Sequence, residues 1–439
     1  MPRTIRPIRI IHTASLRALA ASLLVFFPAA AFAARAPRPH TVPPDGLPAG
    51  LGFNVHGAAS RQDWRAMAAA GAKFARLDFT WAQTEPKKGV YHFRPFDHAV
   101  SAMEACGLRP LFILDYGNPL FPPPETTRAG RNAYARWAAA AAAHFKGRHV
   151  VWEIWNEPNV GFWKGKGGLN SPRFADEYVA LLKSTVHAMR SANPHCYILG
   201  GAVSCLWRGS FRWLNEALKE GMLRDGINAL SVHPYGFGRP EMQISARQPG
   251  AHPGQGYSTL RKLMAKYGSP HFPVVATEVG YPISGRVTLR EQAELCVRQY
   301  LVDEMCHVPL TIIYNWNARQ ASKFAIHGRP VYHALKTMMA QLRGFRYLRR
   351  LRVKDQLDYI IEFQNVAGDR RIVVWTVPKA AGAPQNRAVP NLISIPLGSR
   401  RGGPRVLSLM GVNIPPAITR GHLRLKLTAA PQYIDLAAR

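Results

Sequence analysis

The stretch "VWEIWNEPNV", from Val151 to Val160, begins as an apolar run and ends in an amide, a carboxylate and a proline. Near-continuous apolar runs of this length are typical of strands that are buried on both faces in a parallel sheet. Here the strand ends in Asn156 and Glu157, so it places a carboxyl group where the chain turns. If other strands end in the same way, their polar ends meet at one edge of a sheet.

Seven further apolar runs alternate with amphipathic segments that are long enough for helices. With the first, the strand candidates are "LGFNVHG" from Leu51, "FARLDFTW" from Phe74, "PLFILDYG" from Pro110, "VVWEIWNEPN" from Val150, "CYILGGAVS" from Cys196, "INALSVHPYG" from Ile227, "PVVATEVGYP" from Pro273 and "LTIIYNWN" from Leu310. Eight strand and helix units over about 290 residues match a (β/α)8 barrel better than a doubly wound sheet. The sequence therefore predicts an α/β protein with a TIM barrel over residues 50–343.

After the last barrel helix the pattern changes to short alternating strands separated by turn residues. Six such runs lie between residues 357 and 436, for example "LDYIIEFQN" and "RRIVVWTV". They predict a small C-terminal antiparallel β-sandwich domain, residues 344–439. We expect this domain to pack on the barrel, with carbohydrate binding as the alternative.

The N-terminus predicts export. Four arginines and no acid precede the apolar run "ALAASLLVFFPAAAFA", which closes on the small residues Ala31 and Ala33. This is typical of a signal peptide, residues 1–33, cleaved after Ala33 or Ala34 and followed by a Pro-rich linker, residues 34–49. The expected location is periplasmic or secreted. Retention of the segment as an inner-membrane anchor is the alternative.

The chain is strongly basic. Its net charge is +31, and loss of the four leader arginines leaves +27. Such a charge suits an acidic polysaccharide or a peripheral contact with an anionic inner membrane, and equally a dispersed basic surface. No nucleic-acid-binding motif is present, so nucleic acid is not an expected partner.

The five cysteines have no metal-ligand spacing; we expect them in the core, with at most one disulfide bridge.

Polar residues gather at the predicted strand ends, where barrel enzymes carry their chemistry. They are Asn54, His56, Arg76, Asp78, Asp115, Tyr116, Asn156, Glu157, His233, Tyr235, Glu278, Asn315, Trp316 and Asn317. Glu157 and Glu278 end apolar strands four and seven. Two carboxyl groups across a barrel mouth are the minimum for cleaving a glycosidic bond. A catalytically silent polysaccharide-binding scaffold of an export complex is the non-enzymatic alternative.

The motifs "WNEP", "HPY" and "TEVGYP", at strands four, six and seven, resemble the retaining glycoside hydrolases of clan A. The "WEIWNEPN" context and the trailing β domain resemble family 39, the β-xylosidase and α-iduronidase group. The overall layout resembles the periplasmic endoglycosidases of bacterial exopolysaccharide and biofilm matrix, the Psl type. The resemblance implies an O-glycosidase without metal or cofactor that retains anomeric configuration.

The resemblance also implies roles for particular residues. Glu157 is the expected acid/base, with a raised pKa, and Glu278 the nucleophile, with the two carboxyls about 5 to 5.5 Å apart. Asn156 is expected on the sugar 2-hydroxyl, while Tyr235 and Arg76 are expected beside Glu278. We also expect Asn54, His56 and His233 to bind substrate. For His233 the alternative is a structural role as an imidazole in the core. Glu153 is expected to be a buried structural partner of Arg76.

Several aromatic residues lie at or after strand ends, where flat rings can cover sugars. They are Trp81, Tyr116, Phe162, Trp163, Trp207 and Trp316. Several rings at one rim predict an endo-acting cleft on a bacterial exopolysaccharide; an exo-acting β-xylosidase or uronidase is the alternative. The glycine-rich stretch "GFWKGKGGLNSP" after strand four is expected to form a mobile flap. A monomer is expected.

Overall fold

The computed structural model describes residues 50–236, 238–245, 248, 254–316, 322–377, 391–397 and 403–436. The predicted signal peptide (1–33), the linker (34–49) and Asn317 lie outside the described residues.

Eight parallel strands form a closed barrel in sequence order, which confirms the predicted fold. They are β1 (Leu51–Val55), β2 (Phe74–Thr80), β3 (Arg109–Asp115), β4 (Val151–Ile154), β5 (Tyr197–Ser204), β6 (Ala229–His233), β7 (Val274–Val279) and β8 (Thr311–Ile313). The barrel closes where β1 pairs with β8, with Gly52 opposite Ile312. Closure brings the carboxyl ends of all eight strands to one mouth.

Helices cover the outside of the barrel. They are α1 (Arg61–Ala69), α2 (Trp81–Thr84), α3 (Arg94–Glu104), α4 (Arg128–His144), α5 (Pro172–Ala192), α6 (Arg208–Lys219), α7 (Gly256–Lys266), α8 (Leu289–Met305) and α9 (Pro330–Gln341). Two 3-10 turns, Met222–Arg224 and Pro240–Gln243, precede and follow β6. Ser60 and Thr288 begin α1 and α8 with capping boxes that satisfy the first N–H groups of each helix.

Along each strand, side chains two residues apart lie on the same face, and this face runs from the apolar barrel interior to the polar mouth. Phe74 and Val151 belong to an apolar cluster inside the barrel. Two residues further along the same strands stand Arg76 and Glu153, both fully buried, with side chains in contact. Because side chains two apart share a face, each strand presents an apolar residue at the barrel floor and a polar one above it.

Nine antiparallel strands follow α9 and form the C-terminal β domain. The six-stranded sheet contains β9 (Arg346–Arg350), β10 (Asp358–Gln364), β11 (Arg370–Thr376), β13 (Arg405–Leu407), β14 (Asn413–Ile414) and β17 (Gln432–Leu436); the three-stranded sheet contains β12 (Leu392–Pro396), β15 (Ala417–Thr419) and β16 (His422–Lys426). The prediction missed β9, β14 and β15. β9 has the sequence "RYLRR", which lies at the edge of its sheet and carries no apolar alternation.

The six-stranded sheet is buried on both faces. In β11, Val373 and Trp375 belong to the apolar cluster that contains the barrel helices, whereas Ile372 and Val374 belong to the cluster shared with the three-stranded sheet. Since neighbouring residues of a strand face opposite ways, residues 372–375 of β11 are all apolar, without helical periodicity. The β domain therefore packs on the barrel, as expected.

A buried ion pair reinforces this contact. Arg298 of α8 donates to both carboxylate oxygens of Glu241 at 2.7 Å, and Trp375 donates its indole N–H to the same carboxylate at 2.8 Å. The Trp375 ring stacks on Tyr359 with centroids 4.8 Å apart, and Arg350 covers the outer side of Tyr359. One carboxylate thus binds a barrel helix and a strand of the β domain together.

All five cysteines are unpaired; Cys196 and Cys296 are buried as expected, whereas Cys106, Cys205 and Cys306 are only partly buried. In the part of the chain that the structure describes, no helix has the length and apolar character needed to cross a bilayer.

Candidate active site

The turn that follows β4 holds an unusual backbone. Trp155 and Glu157 have φ angles of +67° and +47°, a left-handed conformation that non-glycine residues rarely adopt. Two cross-strand hydrogen bonds fix the turn: Trp155 N–H donates to Leu114 O and Glu157 N–H to Ala202 O, each at 3.1 Å. A strained conformation held in this way is typical of functional sites, because it fixes the direction of one side chain.

Arg76 lies at the centre of the barrel mouth, fully buried. Its Nε donates to Glu153 Oε2 at 2.7 Å, and its Nη1 donates to Glu278 Oε2 at 2.7 Å. Its Nη2 donates to Asn156 Oδ1 at 2.9 Å. Burial acts to lower the pKa of Arg76, but Glu153 and Glu278 raise it further, so the guanidinium stays charged. Arg76 therefore contacts the candidate nucleophile as predicted, from below rather than from the open side.

Glu153 is the structural partner expected for Arg76. Its side chain is fully buried, and its second oxygen accepts a hydrogen bond from Thr277 at 2.6 Å. Burial would raise the pKa of Glu153, yet the charge of Arg76 and the hydrogen bonds from Thr277 and Ser231 hold the pKa below its usual value. The ion pair with Glu153 therefore holds the Arg76 side chain in one position beneath the barrel mouth.

Glu278, at the end of β7, accepts three hydrogen bonds. Arg76 and Asn54 donate to Oε2, the latter at 3.1 Å, and the Tyr235 hydroxyl donates to Oε1 at 2.9 Å. Burial and the charge of Glu278 raise the pKa of Tyr235 well above its usual value, so the hydroxyl keeps its proton and remains a donor. These donors orient the carboxylate toward the open mouth. The structure thus places Asn54 on Glu278, a contact that the sequence did not indicate.

Glu157 is oriented by His233. The Nδ1 atom of His233 lies 3.0 Å from Glu157 Oε1, and its Nε2 lies 3.3 Å from Arg76 Nη2. Because a guanidinium can only donate, Nε2 accepts and Nδ1 carries the proton that is donated to Glu157. His233 is fully buried. Of its two expected roles, the structure therefore gives it the position beside the carboxyl pair.

The carboxyl groups of Glu157 and Glu278 face each other. An oxygen of each and a His233 nitrogen all lie within 4.8 Å of one another. Inverting glycosidases hold their carboxyls about 6.5–9.5 Å apart, to admit a water, whereas retaining enzymes hold them about 5–5.5 Å apart. Facing oxygens within 4.8 Å favour the closer, retaining arrangement over the wider, inverting one.

The same three residues have the spacing of metal ligands. However, Arg76 already supplies a positive charge 2.7 Å from Glu278, and both His233 nitrogens are hydrogen-bonded. A cation at this point would face the guanidinium, so the arrangement is better suited to a polyhydroxylated ligand.

The expected rise in the pKa of Glu157 is wrong for this structure. Burial alone raises the pKa, but the hydrogen bonds from His233 and the Ser204 hydroxyl and the charge of Arg76 together lower it. Ser204 and His233 end strands five and six, so their donation to Glu157 is not visible from the sequence around the motif. The pKa would rise if the histidine donor were lost.

Substitution of His233 tests this electrostatic balance. Asn places an amide N–H near the position of Nδ1, whereas Gln places one near Nε2 and removes the donor from Glu157. We expect His233→Gln to raise the pKa of Glu157, because the burial effect remains while the donor is lost. The alkaline limb of the kcat/KM profile, where Glu157 loses its proton, then moves to higher pH. His233→Asn is the matched control and should keep the limb near its original position; equal limbs in both variants would contradict the assignment.

A second group of titratable residues lies on the side of strands one to three. His56 Nδ1 is 3.0 Å from Asp78 Oδ2, and this bond raises the pKa of His56. Burial and the charge of the neighbouring Asp78 hold the pKa of Asp115 well above its usual value. Burial also acts to raise the pKa of Asp78, but the bond and charge of His56 keep it low. His56 and Asp78 are half-buried at the mouth and can meet a sugar hydroxyl.

Three of the six predicted stacking residues are wrong. Trp81, Trp163 and Trp316 are buried. Each donates its indole N–H to a carboxylate, that of Glu85, Glu177 and Asp63 respectively. A buried tryptophan needs such a partner, and the carboxylates lie on the surrounding helices and loops. Trp81 stacks on Phe121 and Trp316 on His327, so neither presents a free ring face toward the opening.

The other three rings remain accessible. Tyr116 is half-buried and accepts a hydrogen bond from Asn156 Nδ2 at 3.3 Å. Phe162 stacks on Tyr116 with centroids 5.9 Å apart and is 47% exposed, and Trp207 is 48% exposed. Accessible rings therefore stand near β3 and β4 and, separately, after β5.

The glycine-rich stretch after β4 is fastened to α5. The Trp163 indole and the Lys166 backbone N–H both donate to the Glu177 carboxylate of α5, at 3.2 Å. Gly165 permits this approach, since a Cβ there would lie 2.0 Å from the Glu177 carboxylate. The segment is an anchored loop in the structure, with Phe162 exposed on it.

A family model described as cellulase (glycosyl hydrolase family 5) matches residues 49–320, which include all eight barrel strands. A β-xylosidase of Geobacillus stearothermophilus is 26% identical over 222 residues, 44% of this chain and 41% of the relative. The match thus spans less than half the length of that relative.

Solved structures share the fold. A family 39 glycoside hydrolase from Bacteroides cellulosilyticus has a TM-score of 0.72 at 22% identity, covering 88% of this chain and 80% of its own. A monomeric β-xylosidase from Caulobacter crescentus has a TM-score of 0.60 at 14% identity, covering 88% and 96%. The resemblance to family 39 inferred from the sequence is confirmed at the level of fold, and the likeness to the Psl type stays a prediction. The chain belongs to the glycosyl hydrolase family 5 (cellulase) family of clan A, with family 39 enzymes among its structural relatives.

Proposed function

We propose that the protein is a retaining glycoside hydrolase that acts by double displacement. The observation that carries the proposal is the Glu157–Glu278 pair, with facing oxygens within 4.8 Å and each carboxyl bonded to its own set of donors. Nucleophile and acid/base need such different surroundings, because one must stay charged while the other exchanges a proton.

In the first step, Glu278 attacks the anomeric carbon while Glu157 gives its proton to the departing glycosidic oxygen. This forms an ester between Glu278 and the sugar and breaks the bond to the leaving group. In the second step, Glu157 takes a proton from water, which attacks the anomeric carbon and releases Glu278. Asn156 donates to the sugar 2-hydroxyl, and Arg76 holds Asn156 and Glu278 in a fixed relation.

We propose an endo mode of action on a bacterial exopolysaccharide, in the periplasm, by a monomer. The support is the distribution of accessible rings: Tyr116 and Phe162 lie beyond strands three and four, while Trp207 lies after strand five. Rings at separate positions around one mouth can hold several sugars of one chain. The strong positive charge supports an acidic polymer and peripheral association with the inner membrane.

An exo-acting β-xylosidase is the second candidate, because the matched relative from Geobacillus stearothermophilus is a β-xylosidase. The two modes differ in their products. An endo enzyme lowers the viscosity of a polymer early and releases oligosaccharides, whereas an exo enzyme releases single sugars and leaves the viscosity almost unchanged.

The test is digestion of purified exopolysaccharides, neutral mannose-rich and uronic-acid-rich in parallel, alongside aryl xylosides. Proton NMR of the first product formed reports its anomeric configuration, and retention is expected. Inversion would overturn the double-displacement mechanism. Polymer binding without cleavage of any substrate would favour the scaffold of an export complex instead.

A further inference from the structure

A cavity of about 280 Å³ lies beside the catalytic pair, between the loop after β5 and the segment after β6. Its wall includes Trp207, Arg208, Tyr235, Arg239, Gln243 and Gln255. The two steps of the proposed double displacement do not themselves require this cavity. Its volume is near the lower end of the range for small-molecule sites, enough for a sugar unit.

The cavity adjoins the leaving-group side of the reaction. Cys205 lies in its wall and donates its backbone N–H at 2.8 Å to the carbonyl oxygen of His233, the residue that bonds Glu157. Tyr235, also in the wall, bonds Glu278. Because the acid/base protonates the departing oxygen, the departing sugar must leave from the Glu157 side. A sugar in this cavity is therefore on the leaving-group side of the bond.

The charge of the cavity is positive. Arg208 and Arg239 belong to its wall, and no acidic residue is among the described residues that line it. Arg208 also begins α6, a helix of 12 residues whose N-cap, Trp207, provides no side-chain acceptor for the first turn. Unsatisfied N–H groups and the helix dipole add partial positive charge at this end.

An unpaired buried group points to a ligand here. Gln243 is only 5% exposed, and its Oε1 has no hydrogen-bond partner in the described part of the structure. A buried acceptor left without a donor is costly, and a hydroxyl group entering the cavity would satisfy it. This observation is independent of the arginines and of the helix.

From Arg208, the first turn of α6 and the unpaired Gln243 we propose that the cavity is a leaving-group subsite for a carboxylate-bearing sugar, a uronic acid unit. Trp207 covers its ring, Arg208 and the first turn of α6 bind its carboxylate, and Gln243 accepts from one of its hydroxyls. The inference rests on the proposed function and adds a substrate class to it: a polymer cut where a uronic acid follows the scissile bond.

Direct binding measurements test the subsite separately from catalysis. The probes are oligosaccharides of a uronic acid polymer and the same oligosaccharides after carboxyl reduction, titrated by calorimetry at low and at physiological salt. We expect tighter binding of the acidic probe, and Arg208→Gln should weaken it about 5- to 10-fold without affecting the reduced probe. Arg208→Lys should retain part of the preference. Arg212→Gln, an exposed arginine of the same helix outside the cavity wall, is the matched control for the general basic surface.

The outcomes separate the two proposals. Equal binding of both probes, or equal losses in Arg208→Gln and Arg212→Gln, would overturn the subsite. Hydrolysis of an aryl glycoside, whose leaving group has no sugar, should be unchanged in the control Arg212→Gln. If the unsubstituted protein binds the acidic probe but cleaves neither aryl glycosides nor polymers, the hydrolase assignment fails and the subsite stands as a binding site.

Discussion

Substitution of Glu278 by Gln is expected to lower kcat/KM by about 10⁴-fold or more, the scale seen when a covalent nucleophile is removed. The amide cannot attack the anomeric carbon, yet it has the same shape as the carboxyl. Its oxygen can still accept from Arg76 and Asn54, and Arg76 keeps its buried partner Glu153. The loss should therefore come from chemistry, with the melting temperature nearly unchanged.

The measurement compares Glu278→Gln with Glu104→Gln, which alters a half-exposed carboxylate paired with Arg148 outside the site. Mass spectrometry with a 2-fluoro glycoside should show a covalent adduct on the unsubstituted protein and none on Glu278→Gln. An adduct on another residue, or activity within tenfold of the original, would exclude Glu278 as the nucleophile.

Substitution of Glu157 should have an effect that depends on the leaving group. General acid catalysis contributes about 10²- to 10⁴-fold, so Glu157→Ala should lose this factor on substrates that depart as sugars. A dinitrophenyl group departs without a proton, so formation of the glycosyl enzyme from that substrate should be almost unaffected. Azide, which needs no base, should restore turnover and yield a glycosyl azide of retained configuration.

Glu157→Gln provides the check on folding, because its amide oxygen can still accept from His233, whose Nδ1 would otherwise lose its buried partner. Equal losses for sugar and dinitrophenyl leaving groups, with no azide effect, would show that Glu157 is not the acid/base.

The barrel and the pair of carboxyls were predictable because each gives a recognisable pattern within a short stretch of sequence. A closed parallel barrel needs eight apolar runs, and its mouth needs polar residues where those runs stop, as at Asn156 and Glu157. The edge strand β9, with three arginines in five residues, has no such pattern. Its pairing with β10 places Arg349 beside Glu362, 13 residues further along the chain.

The direction of side chains beyond a strand end was not predictable. Trp163 and Trp316 stand at the right positions to cover a sugar, but carboxylates of Glu177 and Asp63 draw their indoles inward. The pKa of Glu157 was misjudged for the same reason, since Ser204 and His233 come from other strands. Position along the chain gives the neighbourhood of a side chain, and only packing decides its contacts.

The six-stranded sheet packs against the barrel on one face and against the three-stranded sheet on the other, so the barrel and the β domain cannot be separated without exposing an apolar face. The sheet shares one apolar cluster with the barrel, and Glu241 is bonded from both. A barrel cut off after α9 would expose that apolar face and leave the Glu241–Arg298 pair without its indole cover. We therefore expect a single cooperative transition on heating. We also expect that the sheet cannot be exchanged between proteins as an autonomous module, so that barrel and sheet are inherited together.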